Sequence, residues 1–198
     1  MKKNNLPVFP LSLVALPGSI QSLQIFEPKY ISMVKSCMSD GHGFVIVFQS
    51  KIDGSDYEMS KKGSYVEIID FNNLPNGLLG ITVKSENKVI ISNILQLEDG
   101  LHIADVILDV DPEVDDQALL AEHPEIINIL SQLMKHPRIS DLPIKVDFSS
   151  ADSVVYHLAG LIPLTSPEKQ TLLEAFDASQ RMTILSKYIE KISTSYNF

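Results

Sequence analysis

Cys37 and His42 stand five positions apart, a thiol and an imidazole of the kind from which a nucleophilic dyad is built. Cys37 falls on the apolar side of a helical repeat, however, where a free cysteine acts as a small buried hydrophobe. The other imidazoles, His102, His123, His136 and His157, show neither the His-Glu-x-x-His nor the Cys/His spacing of a metal site. No serine occupies a Gly-x-Ser-x-Gly elbow, and no Gly-x-x-x-x-Gly-Lys-Ser/Thr phosphate loop occurs. Carboxylates gather at Asp109, Asp111, Glu113, Asp115 and Asp116, which invites a calcium loop. Such a loop opened at Asp109 requires glycine at its sixth position and glutamate at its twelfth, where Val114 and Leu120 stand. The run therefore reads as an interdomain linker with a solvated acidic face. No metal, cofactor or hydrolytic centre is expected. What remains is apolar: Val14-Ala15-Leu16-Pro17-Gly18 followed by Ile20, Leu23 and Phe26. An exposed apolar patch of this kind marks an interaction site.

Short runs rich in β-branched and aromatic residues must position these groups. They span Leu6–Leu11, Ser22–Phe26, Phe44–Gln49, Tyr65–Phe71, Leu78–Val83, Val89–Leu97 and His102–Val110. Asp53-Gly54, Asn76-Gly77 and Asp99-Gly100 supply turns between several of them. One helix interrupts the strands: Pro28 suits its first turn, Tyr30, Ile31, Val34, Cys37 and Met38 recur at helical spacing, and Gly41 ends it. Glu27, just before that helix, is placed to accept its free N–H groups.

Eight of the nine glycines precede Pro112, and beyond it the apolar period lengthens. Ile126 to Met134 form one helical stripe ended by Pro137, and a second helix is expected over Ala151–Leu161. Ser166-Pro167 reads as an N-cap and first-turn proline, with Leu172, Leu173 and Phe176 as the apolar face. Asp177 and Gln180 form a capping box for a last helix, and Glu174 and Arg181 are expected to pair across its start at the surface. The fold class is thus α+β, with a β-rich domain over residues 1–112 and a helical domain over 113–198.

Composition narrows the partners. The chain carries a net charge of −9, divided between −4 up to Pro112 and −5 after it, so neither half offers a basic surface to a phosphate backbone or an anionic lipid. Neither nucleic acid nor membrane is an expected partner. One cysteine precludes an internal disulfide. Lys2-Lys3 ahead of an apolar stretch imitates a secretory signal, but Pro7, Pro10 and Pro17 break the helix that such a signal forms. A cytoplasmic location is expected.

Two separated segments carry a family likeness. The first is Leu6-Pro7-Val8-Phe9-Pro10-Leu11, then Leu16-Pro17-Gly18, then Ile25-Phe26-Glu27-Pro28-Lys29-Tyr30; the second runs from Leu161 to Met182 and contains Lys169-Gln170, Leu172-Leu173-Glu174, Asp177 and Arg181. In order and spacing they resemble the Lon protease N-terminal domain family. Lys29 stands where members commonly carry arginine, and Ser22-Leu23-Gln24 where many have Leu-Pro-Leu. The resemblance implies a PUA-like pseudo-barrel with one inserted helix, followed by a helical bundle. It also implies a free-standing member, without ATPase or Ser-Lys protease parts, that recognises unfolded or damaged polypeptide or adapts a client to a separate protease or chaperone.

An ATP-independent peptidase is the alternative from another class, and an RNA-binding PUA-like barrel a third. The expected peptide-binding residues are Leu16, Pro17, Ile20, Leu23, Phe26 and Tyr30. Leu16, beside a turn, is expected at the surface, whereas size alone favours burial of Leu23 and Phe26.

Overall fold

The computed structural model describes residues 2–51 and 57–196. The Asp53-Gly54 turn lies outside the described residues. The chain forms two compact units, Met1–Asp109 and Val110–Phe198.

The first unit contains β1 (Lys2–Leu11), β2 (Ile20–Ile25), α1 (Pro28–Asp40), β3 (Phe44–Lys51), β4 (Tyr57–Asn73), β5 (Leu79–Gln96) and β6 (His102–Leu108). Its six-stranded sheet has the order β2-β5-β4-β3-β1-β6, and β6 pairs with β5 as well as with β1. The ladder therefore closes on itself through β5-β4-β3-β1-β6, and β2 is added outside that ring on the first part of β5. Among the described strands only β1 and β3 pair in parallel, and α1 lies between β2 and β3 in the chain, so the parallel pair is reached by a helical crossover.

The sequence pattern divides Leu78–Val83 from Val89–Leu97 because Lys84-Ser85-Glu86-Asn87-Lys88 breaks the apolar alternation. In the structure the two runs are one strand, β5, since the polar interval pairs with Glu67 to Ser64 and Glu86 forms a bulge there. Buried Ser85 donates its hydroxyl to the Ala15 carbonyl, and buried Lys88 pairs with Asp109 at 3.3 Å, beside Lys62 at 2.8 Å. The polar side chains are satisfied internally, so the strand has no reason to stop.

Two apolar clusters fill the unit. One joins Phe9, Ile25, Phe44, Ile46, Ile81 and Val83 to the inner face of α1, Tyr30, Met33, Val34 and Cys37; the other gathers Val8, Val45, Val47, Val89 and Val106. Gly43 and Gly63 sit where β3 and β4 pass closest, and a Cβ at either would overlap a carbonyl of the neighbouring strand. Gly41 closes α1 in the left-handed conformation, at φ 66°, with its N–H on the Cys37 carbonyl.

The second unit is helical: α2 (Asp116–Glu122), α3 (Pro124–Met134), α4 (Pro137–Ser140), α5 (Ala151–Leu161), α6 (Ser166–Glu174) and α7 (Ala178–Tyr196). With α1 these make seven helices among the described residues. Helix α5 is central, its Ala151, Val154, Val155, Leu158 and Ala159 all buried, and it packs against α2, α3 and α7.

Four of the five carboxylates in the acidic run expected to be solvated have structural partners. Asp109 pairs with two lysines, Asp111 with Arg181, Asp115 caps α2 by accepting from the Ala118 N–H at 3.0 Å, and Asp116 accepts from the Ala151 N–H that opens α5. Only Glu113 lacks a structural partner among the described hydrogen bonds and ion pairs. Helix α6 is capped one residue earlier than expected, by Thr165 in a reciprocal box with Glu168.

Arg181 also departs from expectation. It is completely buried (0%) rather than paired at the surface with Glu174, which instead accepts from Gln170. Its Nε and Nη2 reach both oxygens of Asp152 at 2.8 and 2.9 Å, Nη2 also meets Asp111, and Nη1 donates to the Ala175 carbonyl. Such a charge is tolerated inside because each guanidinium nitrogen has an acceptor and two carboxylates balance the charge.

Candidate peptide-binding surface

The turn before β2 is set by Pro17 and Gly18. Pro17 fixes φ at the second position, Gly18 takes φ 80° at the third, and the Ser19 N–H donates back to the Leu16 carbonyl at 3.0 Å. The Gly18 N–H donates to the Ser85 carbonyl at 2.8 Å and the Ser85 N–H to the Ser19 carbonyl at 2.9 Å, so the turn is fastened to β5.

That fastening corrects the expectation for Leu16. A turn was expected to leave it at the surface, but the segment lies down against β5, and Leu16 is 2% exposed, buried along with Val14 and Ala15. Tyr30 is buried too, at 7%, with its ring 4.0 Å from that of Phe9 and Lys29 Nζ 4.9 Å above it. Burial pushes the Tyr30 hydroxyl upward in pKa. Lys29 loses something to burial, but Tyr30 and the Glu27 carboxylate, 3.3 Å away, outweigh it and raise its pKa. Glu27 does not use its side chain to cap α1; its backbone carbonyl accepts from Tyr30 and Ile31 instead.

The other four predicted residues lie nearer the solvent. Pro17, Ile20 and Leu23 are half-buried, and Leu23 packs against the core cluster from the edge of the sheet. Phe26, expected inside on size, is 66% exposed, because β2 ends at Ile25 and the ring falls beyond the strand on its solvent-facing alternation.

The pairing of β2 with β5, and of β5 with β4, sets Leu23, Ile81 and Phe71 in one row across three strands. Phe71 is 56% exposed at the end of that row, and Ile69 is exposed in the neighbouring β4 bulge. Sequence reading did not single out either residue. The bulge between Ile68 and Asp70 inverts the alternation there, and no residue type announces it.

A cavity of about 320 Å³ lies at the C-terminal end of α1, lined by Cys37, Met38, Gly41, His42, Glu67 and Ile68. It is not a catalytic dyad. Cys37 Sγ and His42 Nδ1 both donate to the Gly43 carbonyl, at 3.7 and 2.8 Å, and burial pushes the thiol pKa up to about 11. Among the described residues, no three of His, Cys, Asp and Glu cluster to hold a metal ion. Nor is any helix among them long and apolar enough to cross a membrane.

The chain is 23% identical to Lon protease of Buchnera aphidicola subsp. Schizaphis graminum and 24% identical to that of Brevibacillus choshinensis, over 93% and 92% of its length. It spans about a quarter of the length of these curated relatives, 25% and 24%. The fold matches the crystal structure of a Lon N-terminal domain protein from Xanthomonas campestris at TM-score 0.76, with 24% identity, over 94% of this chain and 99% of that one. The N-terminal domain of the Mycobacterium avium complex Lon protease matches at 0.68 with 16% identity, over 93% and 97%. Residues 5–191 match the family model of the ATP-dependent protease La (LON) substrate-binding domain, and the chain belongs to that family.

Proposed function

We propose that this protein is an ATP-independent binding module that holds extended, unfolded or damaged stretches of polypeptide, and can thereby adapt a client to a separate protease or chaperone. The observation that carries this reading is the match to a substrate-binding domain over residues 5–191. The surface is assigned to Pro17, Ile20, Leu23 and Phe26. Leu16 and Tyr30, being buried, support it from beneath. The closed strand ladder is read as a PUA-like pseudo-barrel and the helical unit as a bundle, in a protein that works in the cytoplasm. It has no ATPase or protease activity of its own in this reading. Fluorescently labelled, reduced and alkylated serum albumin should bind without nucleotide, whereas native albumin should not, and casein should remain intact over the same incubation. Nucleotide-free casein cleavage that tracks with the purified chain would replace this reading with a peptidase.

A further inference from the structure

The free edge of β2 offers chemistry that the apolar residues alone do not. The Ser85 N–H donates to the Ser19 carbonyl, and the register then runs from Ile20 opposite Lys84 to Ile25 opposite Leu79. Antiparallel pairs alternate between bonded and non-bonded positions. Gln21, Leu23 and Ile25 therefore exchange hydrogen bonds with β5, and the N–H and C=O groups of Ile20, Ser22 and Gln24 face away from it. Among the described residues β5 is the only strand paired with β2. Edge strands are normally guarded by lysine, proline or a bulge. Ile20–Ile25 reads IQSLQI, with no charge and no proline, and its register is unbroken.

We propose that this edge takes a further strand: an extended segment of about six residues from an unfolded polypeptide, paired with the backbone groups of Ile20, Ser22 and Gln24. The inference rests on the client-holding role proposed above and adds how the client is held. Backbone pairing recognises any extended chain irrespective of sequence, and alternate side chains supply what selectivity there is. Those on the Leu23 side would cover the half-buried leucine at the sheet edge, and Phe26 lies just past the strand's end.

A second copy of this chain is a poorer occupant. A six-residue edge is roughly 20 Å long, and pairing along it falls well short of the roughly 1,200 Å² that a stable specific interface buries. Two copies at net charge −9 also repel. A brief hold on a long flexible chain needs neither a large interface nor opposite charge.

Amide hydrogen exchange, followed by NMR on the labelled full chain with unlabelled reduced and alkylated albumin, tests this. The amides of Ile20, Ser22 and Gln24 should exchange freely in the protein alone and slow at least tenfold with albumin, while those of Gln21, Leu23 and Ile25 are slow throughout. Ser22→Pro removes one outward N–H that β5 does not use, so a cooperative melt should survive while albumin affinity falls at least tenfold. If the variant does not fold, the exchange pattern of the unaltered chain decides alone. Albumin binding without new protection, or equal binding by Ser22→Pro, overturns the edge and leaves the client-holding role standing. No albumin binding at all overturns both. Protection that grows with protein concentration in the absence of albumin makes a second copy the occupant and overturns the client.

Discussion

A guanidinium with no exposed surface, gripped by two carboxylates and a carbonyl, makes Arg181 the side chain whose truncation should damage the second unit most. Arg181→Ala would leave Asp111 and Asp152 without their counter-charge, a loss of about 3–5 kcal/mol, read as a lower urea midpoint at unchanged slope. A cost under about 1 kcal/mol, the value for a surface pair, would show the cluster to be solvated. Leu16 and Phe26 contrast in burial: one is 2% and the other 66% exposed. Leu16→Asp places a charge where water does not reach and should cost about 3 kcal/mol or more, seen as a melt lowered by many degrees. Phe26→Asp should leave the melt within a few degrees and weaken albumin binding. A reversal of the two phenotypes would show the burial of this motif to be misassigned.

Among the elements, helix α6 depends most visibly on a local electrostatic device. Glu168 accepts from the Thr165 N–H at 2.9 Å and hydroxyl at 2.8 Å, and from Lys191 at 2.9 Å, which depresses its pKa from 4.5 to about 2. A carboxylate whose folded pKa is lowered contributes stability above its unfolded pKa and loses it as pH falls through the folded one. This contribution is therefore complete above about pH 5 and fades between about pH 4.5 and 2. A carbon-13 NMR titration should place the Glu168 midpoint near 2, and Thr165→Ala should move it back toward 4.5 while costing about 1 kcal/mol. A midpoint unmoved by that substitution would assign the depression to the backbone N–H at position 165, which alanine keeps, and to Lys191.

At the scale of the whole molecule, the division into Met1–Asp109 and Val110–Phe198 falls just ahead of exposed Val110, Pro112 and Glu113. These residues precede the Asp115 cap, and Asp116–Glu122 is helical. A broad-specificity protease should cut first within residues 110–114 and spare α2 until later. Fragments ending first inside Asp116–Glu122 would show α2 to be the weaker element, and fragments ending inside β5 would show that the first unit opens before the junction does.

Local chemistry was enough to read much of this. Pro28 and Gly41 bound α1 because a first-turn proline and a left-handed glycine act within a few residues. Helix α5 runs over Ala151–Leu161 as its apolar period requires, and the two motifs from Leu6 to Tyr30 and Leu161 to Met182 identify the family. What the sequence by itself could not determine depends on residues far apart in the chain. Asp111, Asp152 and Arg181 meet only when three segments pack, so an acidic run that reads as solvated becomes a set of caps and counter-charges. Lys84–Lys88 interrupts the apolar pattern, yet partners on other strands satisfy it and β5 continues. Leu16 is buried and Phe26 exposed for the same reason: turn chemistry fixes local bends, whereas the register between β2 and β5 decides which side of each bend meets the sheet and which meets water.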